Sequence, residues 1–224
     1  MMREVEFLFD YISPNSYLAW ACLPDLAERH GATVRPVPVL FAGFLKTYGQ
    51  LGPAEVPPKM AWMNRDTLRK AQLLKLPFAP PFRHPFNPLL VLRLTAQDMD
   101  EPLRARITSV LLRAIWSERL DAEDDSAVGS CLRAAGIDAE PLLAATEDAA
   151  VKARVRANTE RAIAAGAFGV PSMLVDGQLF WGYDDLPQLE RLLAGTDPLA
   201  TTDVATFMTA WEEARRRGHH RDRG

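Results

Sequence analysis

The sequence predicts an α/β fold in which a small β-sheet domain is interrupted by a long, all-helical insertion. Three observations predict this fold class. The first 40 residues follow a strand–helix–strand pattern, residues 172–193 follow a hairpin–helix pattern, and residues 53–166 contain helical patterns but no convincing strand. With 224 residues, of which 48% are hydrophobic and 25% charged, the chain has the composition and size of a globular domain that carries an insertion.

The N-terminal unit is predicted to be a strand, a helix and a second strand. Residues 5–9 place apolar side chains at alternate positions, which is typical of a strand. Ser13 and Pro14 indicate a helix start, because serine caps unpaired amides and proline tolerates the first helical position. The helix is expected to stop at Gly31. The second strand, residues 33–40, contains two prolines and is therefore expected at the sheet edge, where missing N–H donors are tolerated.

The insertion is predicted to be a series of helices. A proline-rich loop over residues 78–88 precedes a helix that Asn87 and Pro88 are expected to cap. The predicted helices cover residues 59–74, 88–97, 103–120, 126–135 and 148–165.

The C-terminal unit returns to β structure. The predicted elements are a strand over residues 172–175, a two-residue turn at Asp176 and Gly177, a return strand over residues 179–181 and a last helix over residues 203–216. Between the hairpin and the last helix, Asp184 is expected to cap a helix whose leucines, between residues 186 and 193, share one face.

This order of elements, βαβ, helical insertion and ββα, matches the thioredoxin plan. In that plan, two parallel strands and a hairpin form the sheet and the second strand lies at its edge, which agrees with the prolines. We therefore expect a discontinuous thioredoxin-like domain of residues 1–45 and 166–224, and a helical insertion domain of residues 46–165.

Charge and composition argue against several classes of protein. The formal net charge is −3, whereas nucleic-acid-binding domains usually carry a basic surplus. No segment approaches the length of a membrane span, and the acidic residues near the N-terminus argue against a signal peptide, so a cytoplasmic location is expected. Cys22 and Cys131 form no CxxC motif and no metal-binding cluster, and we expect both to be free thiols in the core.

Two short segments are expected to meet in space and to carry the chemistry. Residues 13–16 lie at the junction of the first strand and first helix, and residues 169–172 precede the third strand. Redox proteins of the thioredoxin plan keep two cysteines at this helix start, but Ser13 and Ser16 occupy both positions here. Because the amides and dipole of a helix N-terminus favour anions, this site can lower the pKa of a thiol that arrives with a ligand.

Each functional interpretation of these residues has a structural alternative. Ser13 either donates a hydrogen bond to a ligand sulfur or is only a helix cap, and no evident base would make it a nucleophile. Val170 and Pro171 form either an ordinary loop or a cis-proline site that presents main-chain groups to an extended peptide such as glutathione. Asp184 either caps a helix or pairs with a ligand ammonium group.

These motifs resemble the 2-hydroxychromene-2-carboxylate isomerase family, with the kappa-class glutathione transferases, inside the DsbA-like thioredoxin group. The resemblance covers nearly the whole chain, from Val5 to about Leu193. It is most specific in residues 9–19, 168–173 and 181–184, and weaker motifs lie at residues 46–50 and 85–87.

The resemblance implies a glutathione-dependent isomerase that acts on an aromatic enone acid in aromatic-compound degradation, and it suggests a homodimer. It implies that Ser13 is the catalytic serine beside the glutathione sulfur, and that the main chain of Val170 pairs with the glutathione cysteine. The residues implied to hold the γ-glutamyl end are Trp181, Gly182, Tyr183 and Asp184. Those implied to face the second substrate, a small aromatic electrophile, are Lys46, Gln50 and Asn87.

Other functions are compatible with the same motifs. A glutathione transferase or peroxidase of the kappa type would use the same site but would consume glutathione. A disulfide oxidoreductase needs two neighbouring thiols, which the serines do not supply. A non-catalytic module that kept the cis-proline groove would bind extended peptides without turnover. Lys46 either neutralises a substrate carboxylate or a developing enolate oxygen, or is a solvated surface lysine.

Overall fold

The computed structural model describes residues 2–219 and confirms the predicted fold class. Four strands form one mixed sheet in the order β2–β1–β3–β4. β1 pairs parallel with β2 and antiparallel with β3, and β3 pairs antiparallel with β4. The strands are β1 (Arg3–Phe9), β2 (Ala32–Pro38), β3 (Ser172–Val175) and β4 (Gln178–Trp181).

Ten α-helices accompany this sheet within the described residues. They are α1 (Pro14–Arg29), α2 (Phe41–Tyr48), α3 (Pro57–Leu73), α4 (Leu89–Thr95), α5 (Glu101–Ser117), α6 (Asp125–Ala134), α7 (Ala139–Ala144), α8 (Ala149–Ala164), α9 (Leu186–Leu193) and α10 (Val204–His219). None of these helices is both long and apolar enough to cross a lipid bilayer. The predicted division into two domains stays a prediction, and its last five residues, 220–224, lie outside the described part of the chain.

β1 separates two hydrophobic clusters because its side chains alternate between the two faces of the sheet. Phe7 and Phe9 stack at a centroid distance of 5.3 Å in the larger cluster, together with residues of α1 and α5. Leu8 points the other way and joins a smaller cluster with Phe44 of α2 and Ala162 of α8. This arrangement fixes α1 and α2 on opposite faces at the end of β1, where the candidate site lies.

α1 begins and ends where the sequence predicts. Ser13 is its N-cap, and the Ser13 hydroxyl accepts a hydrogen bond from the Ser16 N–H at 3.3 Å. Gly31 follows the helix with φ +64°, a left-handed conformation that glycine adopts without steric cost.

β2 lies at the edge of the sheet, as Pro36 and Pro38 predict. Both prolines are buried rather than solvated. The carbonyl oxygen of Pro38 accepts a hydrogen bond from the Asn158 side chain of α8 at 3.1 Å. The insertion therefore covers this end of the edge strand.

Two helices are not among those predicted from the sequence: α2, which crosses the predicted boundary at residue 46, and α7, within the insertion. Both are short. The N-cap of α2 is Leu40, which gives no signal of a helix start, whereas Asp138 precedes α7 but its side chain makes no capping hydrogen bond. α2 carries Lys46 and ends just before Gln50, two of the residues predicted to face the second substrate.

At the C-terminal unit, the hairpin prediction is confirmed and the cap prediction is wrong. Asp176 and Gly177 form the turn with φ of +51° and +77°. Asp184 was expected to cap α9, but it lies in a 3₁₀ turn and Asp185 is the N-cap. The Asp185 side chain does not bond a helix amide, because its carboxylate accepts the Trp181 N–H at 2.9 Å.

α10 follows the thioredoxin-like body as an amphipathic helix with every described side chain exposed. Phe207 and Trp211 stack on each other at 6.4 Å, and Val204 and Met208 lie on the same stripe. The helix prediction for residues 203–216 is thus confirmed in type and approximate bounds.

Candidate active site

The two predicted segments meet at the N-terminus of α1. The Ser13 hydroxyl donates to the main-chain oxygen of Val170 at 3.4 Å. The Val170–Pro171 peptide bond is cis, as the thioredoxin plan predicts. No acceptor among residues 2–219 pairs with the Val170 N–H, so this donor is available to a ligand.

The first turn of α1 holds further unpaired polar groups. The Asn15 N–H has no acceptor among the described residues, as expected for the first turn of a helix. The Asn15 Oδ1 and Ser16 Oγ atoms are both buried without a hydrogen-bond partner. Since buried polar groups are nearly always paired in folded proteins, these atoms mark the helix start as a site that a ligand can complete.

The residues before this helix form a turn, residues 10–13, which we call the Ser13 turn. Its main-chain groups are bound by side chains from the insertion. The indole N–H of Trp116, on α5, donates to the Tyr11 carbonyl at 2.9 Å. The His84 Nε2 atom, from the proline-rich loop, lies 3.2 Å from the Ile12 carbonyl oxygen. The insertion thus fixes the position of Ser13 from outside the sheet.

Asp10 joins the Ser13 turn to α2. It is completely buried, and its carboxylate accepts the N–H of Ile12 at 3.1 Å and the N–H of Phe41 at 2.8 Å. Burial raises the pKa of Asp10 from 3.8 to about 7, although the main-chain hydrogen bonds oppose that shift. Asp10 is not among the site residues predicted above, because nothing in a single sequence shows that an aspartate after a strand will be buried.

Tyr48 joins the other end of α2 to the second segment. Its hydroxyl donates to the Ala167 carbonyl at 3.1 Å. Three residues further on is Val170, the proposed pairing partner of glutathione. Asp10 and Tyr48 therefore make α2 a bridge between the two halves of the site.

An aromatic pair flanks the Val170 segment. Phe168 and Trp181 lie 5.1 Å apart and are both exposed, with 51% of Trp181 accessible. Gly169 lies directly beneath the indole, and a Cβ atom there would come within 2.8 Å of Trp181 Nε1. Only glycine leaves this contact undisturbed.

Asp184 and Asp66 both form an ion pair with Lys70 of α3. Lys70 Nζ lies 2.7 Å from Asp184 Oδ2 and 2.6 Å from Asp66 Oδ2, and it lies 5.5 Å from the centre of the Tyr183 ring. Burial alone would lower the pKa of Lys70, but the hydrogen bonds and charges of the two carboxylates raise it. Two carboxylates face one ammonium group here, which leaves a local surplus of negative charge for a ligand ammonium.

The residues predicted to face the second substrate are not joined to Ser13 by any contact. Lys46 and Gln50 are exposed at the end of α2, and Lys46 forms no ion pair with another described residue. The Asn87 side chain accepts the Leu89 N–H at 3.1 Å and lines a cavity of about 450 Å³ between α4, α6 and α7. Their predicted contact with substrate stays a prediction.

Neither cysteine belongs to this site. Cys22 and Cys131 are both free, as expected, and both are half-buried. Cys22 packs against the larger core cluster, so the expectation of a core position is wrong only for Cys131. Burial raises the pKa of both thiols, and nearby carboxylates add to the shift. Both are therefore poor nucleophiles at neutral pH, because the thiolate is the reactive form.

Comparison with known proteins agrees with this geometry. Residues 4–194 match the family of DSBA-like thioredoxin domains. A 2-hydroxychromene-2-carboxylate isomerase from Sphingobium xenophagum is 34% identical over 195 residues, which cover 86% of this chain and 99% of that protein. Glutathione S-transferase kappa 1 from Caenorhabditis elegans is 26% identical over 212 residues, covering 88% of this chain and 94% of that protein.

A solved structure supports the same relationship. The structure of a 2-hydroxychromene-2-carboxylate isomerase superimposes with a TM-score of 0.79 at 27% sequence identity. The alignment covers 85% of this chain and 94% of that chain. All of the elements that form the candidate site lie within residues 4–194.

Proposed function

We propose that this chain, which belongs to the DSBA-like thioredoxin domain family and to its branch of 2-hydroxychromene-2-carboxylate isomerases, is a glutathione-dependent isomerase of an aromatic enone acid. One observation carries the proposal. The helix start that presents cysteines in redox relatives presents Ser13 here, beside unpaired main-chain donors and opposite Val170. The chain offers a place for a sulfur anion without supplying the sulfur.

The unpaired groups of the site fit glutathione. Its cysteine main chain would pair with the free N–H of Val170, as an added strand pairs with a sheet edge. Its sulfur would lie at the start of α1, near the Ser13 hydroxyl and the Asn15 N–H. Its γ-glutamyl ammonium would meet Asp184, whose carboxylate shares Lys70 with Asp66, and the segment Trp181–Tyr183 would line that end.

Bound glutathione would supply the sulfur that adds reversibly to the conjugated double bond of the substrate, so that the bond can rotate before the sulfur leaves and glutathione is restored. Ser13 would stabilise the sulfur anion by donating its hydroxyl hydrogen, and the α1 dipole would favour the same charge. Ser13 has no base beside it and acts as a donor rather than a nucleophile.

Lys46 is the cation that we assign to the carboxylate or the developing enolate oxygen of the substrate. It is exposed, it has no ionic partner among residues 2–219, and α2 anchors it between the two halves of the site. Gln50 and Asn87 are proposed to complete the substrate side as hydrogen-bonding groups. The exposed ring of Phe168, which packs against Trp181, offers an aromatic substrate a stacking surface.

Two measurements test the proposal. Calorimetric titration with reduced glutathione should detect binding at millimolar concentration or below. Incubation with 2-hydroxychromene-2-carboxylate should then change the isomer ratio without consuming glutathione. Absence of glutathione uptake would contradict the sulfur site itself.

A kappa-type glutathione transferase is the second candidate, because a kappa-class protein matches the chain over nearly the same length. The two candidates share the sulfur site and differ in outcome. A transferase would convert glutathione to a stable conjugate that chromatography detects, whereas an isomerase would return all of it.

A further inference from the structure

Three buried side-chain atoms among the described residues lack a hydrogen-bond partner, and all of them lie at or against the start of α1. They are Asn15 Oδ1, Ser16 Oγ and His84 Nδ1. The first two belong to the helix itself and to the proposed glutathione site. His84 is different because it comes from the proline-rich loop and reaches the Ser13 turn through its other ring nitrogen.

The hydrogen-bond geometry determines the state of the His84 ring. The partner of Nε2 is the carbonyl oxygen of Ile12, at 3.2 Å, and a carbonyl can only accept. Nε2 must therefore carry a hydrogen. Nδ1 is buried with no acceptor beside it, so a second hydrogen there would have no partner. The structure is consistent only with the neutral Nε2–H tautomer.

The surroundings of the ring are apolar. His84 packs against Trp116 at a centroid distance of 5.8 Å and against Phe86 at 6.4 Å. Burial lowers the pKa of His84, and its hydrogen bond to Ile12 only partly opposes that shift. The net lowering of the pKa favours the neutral imidazole near physiological pH.

Among residues 2–219, no charged group is placed to stabilise a protonated ring. The ionisable side chains of the elements around His84 have other partners: Asp10 binds the N–H groups of Ile12 and Phe41, Tyr11 binds Thr95, Arg83 binds Asp121 at 2.7 Å, and Arg113 binds Glu118 at 3.1 Å. A charged imidazole would keep its Nε2–H but would bury a second hydrogen, on Nδ1, without an acceptor. We therefore expect the charged ring to leave this position, so that the Ile12 carbonyl loses its donor.

We infer that His84 is a positioning residue for Ser13, holding the Ser13 turn through the Ile12 carbonyl only while its imidazole is the neutral Nε2–H tautomer. The catalytic consequence rests on the proposed function, because it assumes that Ser13 faces the glutathione sulfur. Protonation of His84 releases the turn one residue before Ser13, and turnover then falls as the pH is lowered.

Two substitutions of His84 distinguish the contribution of its N–H donor from that of its aromatic ring. His84→Phe keeps a ring against Trp116 and Phe86 but removes the donor to Ile12. His84→Gln keeps an N–H donor near the position of Nε2 and removes the titrating group. We expect kcat/KM to fall roughly tenfold in H84F and to stay within about threefold of the natural chain in H84Q at pH 8. Protonation of the glutathione sulfur lowers turnover in both proteins on acidification, but only the natural chain has His84 to titrate, so kcat/KM should decline more steeply in the natural chain than in H84Q.

A ligand-free measurement keeps the inference independent of glutathione. The Ser16 N–H donates both to the Ser13 carbonyl at 3.0 Å and to the Ser13 hydroxyl at 3.3 Å, so its hydrogen exchange reports the order of the turn. Exchange should accelerate in H84F, remain protected in H84Q, and accelerate in the natural chain as His84 is protonated. Equal protection in all three proteins at every pH would overturn the inference. If glutathione does not bind the natural chain, the proposed function fails, yet the exchange data still decide the role of His84.

Discussion

The Ser13 hydroxyl donates to the Val170 carbonyl across a sequence separation of 157 residues, at a distance of 3.4 Å. This bond is long for a hydroxyl donor, whose usual distance is about 2.7–2.8 Å, so the hydroxyl hydrogen is held weakly. It can turn to an arriving anion at small cost. The relationship therefore combines two functions: it joins the two segments of the site, and it keeps the Ser13 donor available.

Removing that donor should affect turnover more than folding. Ser13→Ala loses an N-cap, which costs about 1 kcal/mol of unfolding free energy. It also loses a hydrogen bond to a charged group, for which we expect kcat/KM to fall roughly 10- to 100-fold. Thermal unfolding and isomer-ratio assays measure the two effects. Ser13→Thr retains the hydroxyl and serves as the control, and an alanine variant of unchanged rate would exclude the role of Ser13.

Gly169 should tolerate no side chain while Trp181 is present. Gly169→Ala places a methyl group 2.8 Å from the indole nitrogen, and relieving that overlap should cost about 1–3 kcal/mol. Trp181→Ala removes the indole that the new methyl group would meet. The decrease in unfolding free energy of the double variant should therefore be smaller, by at least about 1 kcal/mol, than the sum of the decreases in the two single variants. Denaturant unfolding of the four proteins completes this cycle. Strict additivity would show that the contact does not constrain Gly169.

Tyr48 should contribute to glutathione affinity without touching the tripeptide. Tyr48→Phe removes the hydrogen bond to Ala167, which is worth about 0.5–1.5 kcal/mol, and loosens α2 from the Val170 segment. We expect the Kd for glutathione to rise roughly two- to tenfold. Thr47→Ala, an exposed change on the same helix, is the matched control and should leave the Kd unaltered. Equal affinities in both variants would argue that the link to Ala167 is unimportant.

Because the pKa of the buried Asp10 carboxyl is raised, we expect its contribution to the unfolding free energy to decrease as the pH rises. Its pKa is near 7 in the folded chain and 3.8 when unfolded, so the folded state binds this proton more tightly between these values. The Asp10 contribution to the unfolding free energy is thus fully present below about pH 4 and is lost as the pH rises through 7, with a slope of up to about 1.4 kcal/mol per pH unit.

The natural chain and Asp10→Asn should be compared by denaturant unfolding at several pH values, because other carboxylates add their own slopes. The asparagine variant should be less stable at every pH, since its amide N–H₂ must face a main-chain donor. The loss should be largest at acidic pH and should shrink toward neutral pH. A difference that does not vary with pH would show that Asp10 does not titrate in this range.

The resident thiols should be dispensable for glutathione-dependent turnover. Cys22→Ala combined with Cys131→Ala removes both cysteines, neither of which lies at the α1 start. We expect kcat/KM to stay within about twofold of the natural chain, because both thiols have raised pKa values. The same assay on the double variant checks this. Loss of turnover with an unchanged melting temperature would indicate that a cysteine of the chain is the nucleophile, and would argue against the glutathione sulfur in that role.

The sequence sufficed for features that depend on local chemistry. Ser13 and Pro14 predict the start of α1, and Asp176 and Gly177 predict the hairpin, because short-range sterics and capping decide such positions. The edge position of β2 follows from the missing N–H groups of its prolines. Each of these features can be recognised without knowing what lies across the fold.

Features that depend on distant partners could not be predicted. Asp10 has no local signal for burial, and its carboxylate is used by Phe41, 31 residues away. The roles of His84 and Trp116 emerge only when the insertion folds back over the Ser13 turn. The cap prediction for Asp184 failed for the same reason. Asp184 and Asp185 are equally good caps in the sequence, and only the hydrogen bond from the Trp181 N–H to Asp185, which forms in the folded chain, distinguishes them.

The prolines of β2 also affect how the chain behaves in a concentrated solution. An edge strand normally presents a row of free donors and acceptors to which a neighbouring molecule can add a strand of its own. Here Pro36 and Pro38 offer no donors, and Asn158 occupies the Pro38 acceptor. Addition of a strand is therefore disfavoured at the Pro36–Pro38 end of this edge, which lowers the tendency toward fibrillar self-association along β2.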